Sequence, residues 1–327
     1  MTLSGNYWPA HPKPLPNEIF SSWLIRTALK NGPSLHSFCH IVWPHRQIWT
    51  RDIGRMIAFD LLDTMSQKTG TNPEGLERLF LQSYEGPLFK RIAPNALNQW
   101  IRYIGVHHRL RKRHGLLYCP LCLESDETPY FRKYWRTNLS PACPSHGTVL
   151  RDSCDRCEAT VMPHRGKMMA CSECGFDLRY ARAWAAHPGA LKLGQALLSR
   201  INGENLWGVS VPKIEQDIEF YQTVRIVMEM LCSGIRSGWL RHEVSKFMRH
   251  RVKITTTERY STQFEYLRVS DLHDAFAMSS VLFRGWPWMM MGLCAEARVW
   301  KSWALADKQR YDIPTLRSIV DNFLTIN

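Results

Sequence analysis

Eight potential metal ligands lie between residues 119 and 174, near the middle of the chain. They form four pairs, and two residues separate the members of each pair. The eight are Cys119, Cys122, Cys143, His146, Cys154, Cys157, Cys171 and Cys174. A two-residue gap lets both side chains of a pair turn toward one ion, and four sulfur or imidazole ligands suit tetrahedral Zn²⁺. The spacing therefore predicts two zinc ions, each with four protein ligands.

The four pairs can combine in two ways. In a sequential arrangement each pair joins the next, whereas an interleaved cross-brace would join Cys119 and Cys122 to Cys154 and Cys157. Loops of 20 and 13 residues separate the neighbouring pairs. Short loops close with a smaller loss of entropy, so the sequence favours the sequential arrangement.

The start of the chain bears on the state of these thiols. The stretch MTLSGNYWPAHPKPLP lacks the charged, apolar and cleavage regions of a secretory signal. No run of about 18 apolar residues is present to span a membrane. We therefore expect a cytoplasmic protein without a membrane partner, in which closely spaced cysteines bind metal in preference to forming disulfides.

The same ligand sets argue against catalysis. Four protein ligands per ion leave no position for water or substrate, so such sites stabilise a fold. The sequence contains no Walker loop, no G-x-S-x-G elbow and no G-x-G-x-x-G motif. We predict that the protein is not an enzyme, and a metal-dependent hydrolase is the weakest alternative. The remaining cysteines, Cys39, Cys232 and Cys294, are predicted core residues. His164 is a spare candidate ligand, and the sequence favours a surface histidine at this position.

The net charge of +13 favours a polyanionic partner. Residues 1–118 carry 15 basic and 7 acidic groups, and residues 119–180 carry 8 of each. Residues 181–327 carry 19 basic and 14 acidic groups. The candidate nucleic-acid contacts are Arg102, Arg109, Arg111, Lys112 and Arg113. These side chains could neutralise phosphates. The alternative is a solvated helix end, where basic residues are also favoured.

Hydrophobic periodicity predicts a mainly α fold around this module. Four N-terminal helices are predicted, over residues 16–31, 51–68, 73–83 and 95–112. Asn17 is a candidate N-cap for the first of them. Later helical periods occur in DIEFYQTVRIVMEMLCSGI, VSDLHDAFAMSSVL and PTLRSIVDNFL, and SSVLFRGWPWMMMGLC suggests a buried or partner-facing helix pair.

Three domains follow from this organisation. We predict an N-terminal helical domain of helix-turn-helix type at 1–116, a double zinc-binding module with short strands at 117–180, and a C-terminal helical domain at 181–327. The aromatic residues of the module, Tyr130, Phe131, Tyr134 and Trp135, are expected to be buried around the metal sites.

Three stretches share a richer set of motifs than a generic zinc knuckle. They are LPNEIFSSWLIRTALKNG, HGLLYCPLCLESDETPYFRKYWRTNLSPACPSHGTVLRDSCDRCEA and CSECGFDL. Together they resemble the TniQ family, which includes the TnsD-type target selectors of bacterial transposons. The resemblance covers most of residues 14–180, and beyond that it is limited mainly to LFRGWP.

The resemblance implies a DNA-transposition accessory protein with a helix-turn-helix domain and zinc fingers. Members of the family connect a target-recognition device to the AAA+ ATPase that regulates the transposase. That device is an RNA-guided CRISPR effector ribonucleoprotein or target DNA that the protein reads itself. The intermediate chain length favours a non-catalytic adaptor. The alternative is a sequence-specific, zinc-containing DNA-binding protein that acts alone or as a homodimer.

Overall fold

The chain folds into two compact units, each assembled from separated stretches. A computed structural model describes residues 6–32, 34–94, 96–104, 113–165, 167–204, 210–234, 236–248, 263–305 and 311–324. Unit 1 comprises residues 1–83, 91–137 and 150–183, and unit 2 comprises residues 84–90, 138–149 and 184–327. Among the described residues, no helix is long and apolar enough to cross a membrane.

The fold is mainly helical, as the sequence predicts. The α-helices of unit 1 are α1 (Phe20–Lys30), α2 (Leu35–Val42), α3 (Phe59–Thr69) and α4 (Pro120–Ser125). Those of unit 2 are α5 (Pro188–Ile201), α6 (Asp217–Cys232), α7 (Ser237–Ser245), α8 (Val269–Leu282), α9 (Trp288–Glu296), α10 (Lys301–Ala304) and α11 (Pro314–Phe323). Short 3₁₀ turns occupy Ile48–Thr50, Leu76–Leu79, Leu81–Tyr84, Lys133–Arg136, Pro163–Arg165, Leu178–Tyr180 and Phe264–Tyr266. In the described part of the chain, extended backbone pairs through single β-bridges and forms no longer strands.

Helix α1 is the central element of unit 1. Phe20, Trp23, Leu24 and Ala28 recur at helical spacing and are all fully buried. The ring of Phe20 stacks on Phe80 with 4.5 Å between ring centroids. The apolar stripe therefore places α1 in the core, where its backbone and polar side chains need partners inside the protein.

Arg26 of α1 forms a buried ion pair with Glu18, which precedes the helix. The Glu18 carboxylate accepts hydrogen bonds from Arg26 Nε at 2.8 Å and Nη2 at 2.6 Å. The Ser22 hydroxyl and the Leu15 N–H also donate to Glu18, at 2.7 and 2.9 Å. Glu18 is 0% exposed and Arg26 is 5% exposed, so these bonds replace the water that both charges lose.

The same turn of α1 binds the segment that follows the first ligand pair. Phe131 N–H donates to Ser22 Oγ at 3.0 Å, and Ile19 N–H donates to the Phe131 carbonyl at 3.1 Å. Tyr130 Oη donates to the Pro16 carbonyl at 3.0 Å. These bonds tie residues 16–22 to residues 130–131 across more than a hundred positions of sequence. Glu18 also forms a bridge with Arg132.

The predicted N-terminal helices differ from the observed ones at several boundaries. The first begins at Phe20, and Asn17 is not its N-cap but lies before it with φ of 56°. The second is confined to Phe59–Thr69, because Gly54 lies against Ile19, where a Cβ would come within 2.8 Å of Cδ1. Glycine is the residue that permits this close approach.

The third and fourth predicted helices are also revised. Residues 73–83 form two 3₁₀ turns, since Gly75 adopts φ of 78° at the start of the first. Residues 96–104 form no α-helix, and Ile101 instead bridges to Thr137. Residues 105–112 lie outside the described part of the chain. In both regions a local helical period gave way to turn chemistry or to long-range pairing.

Unit 2 is a helical cluster centred on α8, which packs against α5 and α6. The predicted helices in the later periods correspond to α6, α8 and α11, and the methionine-rich stretch forms the end of α8 and then α9. Gly189 at the start of α5 lies so close to Ser280 that a Cβ would come within 2.1 Å of its hydroxyl. A second buried ion pair, between Arg225 and Glu265 at 2.9 Å, holds α6.

The buried pair of unit 1 gives a test of its energetics. Glu18→Ala leaves the Arg26 guanidinium buried without its carboxylate, and we expect a loss of about 3–5 kcal/mol in the free energy of unfolding. Arg46→Ala is the matched control, because the Arg46–Asp60 pair is exposed and should contribute less than about 1 kcal/mol. Chemical denaturation of the metal-loaded protein measures both, and equal losses would contradict this assignment.

Candidate metal centre

Three of the four ligand pairs sit in the same type of backbone turn. In each turn the N–H of the first cysteine donates to the carbonyl five residues later, and the N–H four residues later donates back to the carbonyl of that cysteine. The turns begin at Cys143, Cys154 and Cys171, with N···O distances of 2.8 and 2.9 Å, 2.9 and 3.0 Å, and 2.8 and 3.0 Å. The repeated turn therefore sets the direction of both side chains in each of these pairs.

The fifth position of each turn adopts the left-handed conformation. Its φ is 63° at Gly147, 57° at Glu158 and 70° at Gly175. Glycine enters this region without steric cost, whereas a residue with a Cβ is disfavoured there. Two of the three turns therefore carry the residue that the geometry requires, and the turn at Cys154 forms despite a glutamate.

The remaining pair uses a helix start. Cys119 directly precedes α4, and Pro120 occupies the first helical position, where its missing N–H costs nothing. Cys122 then lies in the first turn of the helix, and Leu123 N–H donates to the Cys119 carbonyl at 3.1 Å. On the other side, Tyr118 pairs with Arg151 through two backbone hydrogen bonds of 2.9 and 2.8 Å.

The eight side chains gather into two groups of four. Cys119, Cys122, Cys143 and His146 form one group, and Cys154, Cys157, Cys171 and Cys174 form the other. Within each group the ligand atoms all lie within 4.8 Å of one another. This is the sequential arrangement that the loop lengths favour. All ten cysteines are free thiols.

The second group has the dimensions of a tetrahedral zinc site. The Sγ atoms of Cys154 and Cys174 are 3.6 Å apart, and so are those of Cys157 and Cys171. A tetrahedron with Zn–S bonds of about 2.3 Å has S···S edges of about 3.8 Å. Arg156 N–H also points at Cys154 Sγ, at 3.5 Å, as expected where a backbone amide supports a thiolate. The donor set and its spacing fit a four-coordinate ion.

The first group has the mixed donor set. Cys143 Sγ and His146 Nδ1 are 3.5 Å apart, and the three cysteines of the group are buried. In the second group, a hydrogen bond from the Phe176 N–H and the neighbouring thiols lower the pKa of Cys174 to about 7, whereas burial raises the pKa of Cys154. One thiolate is therefore favoured in the group, and binding of a metal ion would release protons from the others.

Of the five basic residues predicted to contact nucleic acid, the structure describes Arg102 and Arg113. Arg102 is 1% exposed, and its guanidinium donates to the His114 carbonyl at 2.7 Å and lies 4.0 Å from Asp152. Its observed contacts are structural. Arg113 is half-buried, and Arg109, Arg111 and Lys112 lie outside the described residues. The prediction of phosphate contact stays a prediction for these four.

Other residues singled out in the sequence take structural places. Burial raises the pKa of Cys39 to about 11 and those of Cys232 and Cys294 to about 12, as expected for core thiols. His164 belongs to neither ligand group. It is buried and stacks on Trp49, so the expectation of a surface histidine is wrong. The module's aromatic residues, Tyr130, Phe131, Tyr134 and Trp135, are all buried.

Sequence reasoning missed the hydrogen-bonded network of Glu18, Ser22 and Arg26. The three residues recur at a spacing of four in the sequence, and Glu18 lies two residues before the start of α1. That spacing is the available signal, since polar residues interrupt an otherwise apolar stripe.

Loss of one ligand should remove one ion. Cys171→Ser leaves three thiolates in the second group, and we expect the metal content to fall by about one ion per chain, with loss of soluble protein, because binding and folding are coupled. Cys232→Ala is the control, since Cys232 is buried but is not a ligand. Elemental analysis by mass spectrometry measures the content. A soluble, fully helical Cys171→Ser protein with an unchanged content would refute this role.

The left-handed turn position gives a separate test of stability. A Cβ at Gly175 would meet no atom within 4 Å, so Gly175→Ala changes only the backbone preference. We expect a loss of about 1 kcal/mol. Glu158→Ala exchanges one side chain for another at the equivalent φ and should change the stability much less. Denaturant unfolding with metal present compares the two, and a neutral Gly175→Ala would contradict the argument.

No curated protein matches the chain. The family model that matches is TniQ, over residues 9–150, a range that contains α1 to α4 and the first group of ligands. This agrees with the motifs that carry the resemblance. Over residues 9–150, less than half of its length, the chain is therefore similar to the TniQ family.

Proposed function

We propose that the protein is a non-catalytic adaptor in the selection of DNA-transposition targets. It binds a target-recognition complex on one side and the AAA+ regulator of the transposase on the other. The observation that carries this proposal is the TniQ match over residues 9–150. A cytoplasmic CRISPR effector with its guide RNA is the recognition complex that we favour.

The metal groups support a structural and not a chemical role. Each group offers four protein ligands, and a tetrahedral ion is saturated by them. Cys119, Cys122, Cys143 and His146 would hold one Zn²⁺, and Cys154, Cys157, Cys171 and Cys174 the other. The ions would supply folding free energy to segments with little apolar core of their own.

The organisation of unit 1 also suits an adaptor. Buried ion pairs fix its separated stretches, including Arg136 with Asp52 at 2.6 Å and Arg102 with Asp152 at 4.0 Å. A protein that joins two partners needs surfaces at fixed positions, because each rearrangement on binding costs free energy. The net charge of +13 favours a ribonucleoprotein or DNA complex as one of the partners.

Co-purification tests the proposal directly. The tagged protein, expressed with the genes that surround its own, is purified and analysed by mass spectrometry and RNA sequencing. We expect the AAA+ ATPase and a CRISPR effector with guide RNA to accompany it. Recovery of a lone protein that shifts one duplex sequence, with a steep dependence on salt, would instead identify a direct DNA reader.

Charge reversal tests the predicted basic contact. Arg109→Glu, Arg111→Glu and Arg113→Glu, made together, should weaken association with the ribonucleoprotein at least tenfold, because phosphate contacts would become repulsive. The same reversal at Arg91, which is exposed, controls for the change in net charge when its effect is compared per residue. Unchanged association of a folded triple variant would show that the basic stretch is only solvated.

A further inference from the structure

A cavity in unit 1 lies beside α1 and is not accounted for by the metal groups. It encloses about 520 Å³ outside the atoms, part of it open to solvent. Its apolar lining includes Ile19, Ile25, Ile53, Leu116 and Val161. Apolar cavities that carry a few polar groups are typical sites for a ligand or for an anchoring side chain.

A buried histidine supplies one polar group of the cavity. His164 is 9% exposed and stacks on Trp49, with ring centroids 5.2 Å apart and an interplanar angle of 4°. Burial and the nearby charge of Arg165 lower the pKa of His164 to about 4, so its ring is neutral at pH 7. Neither ring nitrogen has a hydrogen-bond partner among the described residues. A neutral imidazole offers one donor and one acceptor.

A serine of α1 supplies the second polar group. Ser21 and Ser22 both line the cavity. The Ser22 hydroxyl is committed, because it donates to Glu18 and accepts from the Phe131 N–H. The Ser21 hydroxyl makes no hydrogen bond within the part of the chain that the structure describes. Adjacent serines thus differ, one holding the fold and the other facing the cavity with its bonding capacity unused.

The charge at the cavity is positive. Asp52 is the acidic lining residue, and Arg136 neutralises it through hydrogen bonds of 3.0 and 2.6 Å. Arg51 lines the cavity and is exposed. Arg165 and Lys167, which follow His164 along the chain, are exposed too. An occupant that extends out of the cavity would therefore be favoured by negative charge on either side.

We propose that this cavity receives one tryptophan or tyrosine side chain from an acidic segment of a partner protein. An aromatic ring would cover the apolar lining, and its N–H or O–H would pair with His164 or Ser21. Trp and Tyr combine these two properties and dominate the centres of interfaces. Acidic flanking residues would face Arg51. The inference deepens the proposed adaptor function, on which it rests, by giving the chemistry of one partner.

Peptide binding to the full-length, metal-loaded protein tests the proposal. The probe is the acetylated, amidated pentapeptide Asp-Glu-Trp-Asp-Glu, and its matched control has Ala in place of Trp. A third peptide, Ser-Gly-Trp-Gly-Ser, keeps the ring and removes the charge. Ligand-detected NMR titration at physiological ionic strength gives the three affinities. We expect the acidic Trp peptide to bind about tenfold or more tightly than either of the others.

Variants of the protein locate the binding. Ser21→Phe fills the cavity without removing a described hydrogen bond, and it should abolish the preference for Trp over Ala. His164→Leu keeps the apolar volume and removes both ring nitrogens, so it gives a second test if Ser21→Phe does not fold. Arg51→Glu should weaken the binding of the acidic Trp peptide severalfold. Arg91→Glu reverses an exposed charge outside the cavity lining and should change the affinity of this peptide much less.

Several outcomes would overturn the proposal. Equal affinity for the Trp and Ala peptides, or a preference that persists in folded Ser21→Phe and His164→Leu proteins, would exclude an aromatic anchor in this cavity. Equal affinity for the acidic and neutral Trp peptides would exclude the acidic character of the partner segment. These experiments use the isolated protein, so they can fail while co-purification with the ATPase succeeds, and the two failures are distinguishable.

Discussion

The organisation of unit 1 depends on the hydrogen bonds that the buried Glu18 carboxylate accepts. It is fully buried and accepts hydrogen bonds from Arg26, Ser22 and the Leu15 backbone. A buried carboxylate must be paired, and its partners here fix the loop before α1 and the first two turns of the helix. Through Ser22 the same network holds Phe131, in the stretch that follows the first ligand pair. One charge thus joins the apolar helix to the metal-ligating part of unit 1.

Two kinds of constraint complement each other in this unit. The second metal group, Cys154, Cys157, Cys171 and Cys174, closes a short loop and defines its local turns, whereas the ion pairs join stretches that are far apart in sequence. Asp52 with Arg136 and Arg102 with Asp152 are examples of the second kind. The metal group needs all of its ligands and each ion pair needs both of its partners, since the loss of one leaves an unsatisfied group behind. Unit 1 is therefore expected to unfold cooperatively, with its metal.

The sequence predicts this structure well where a local signal and the fold agree. Cysteine spacing identified the residues of two groups that could hold metal ions, and loop length favoured the grouping that the structure has. Helical periods located α1, α6, α8 and α11. The prediction was wrong around residues 54, 75 and 101, where close packing, a left-handed glycine or a bridge between distant residues decided the backbone. The cavity could not be predicted at all, because stretches from residue 19 to residue 164 line it.

The contrast between Ser21 and Ser22 shows how a rigid fold can still leave binding capacity. The side chains of Ser22 and Arg26 donate hydrogen bonds to Glu18, so the helix backbone and its apolar face cannot shift without exposing a buried charge. Ser21, one residue earlier, is held in place by the same helix but has no bond to break when a partner arrives. A cavity lined in this way is formed before binding, so little ordering free energy is lost on association. Selection of a partner then depends on shape and on the charge at Arg51, and a partner that lacks either is rejected by the fixed lining.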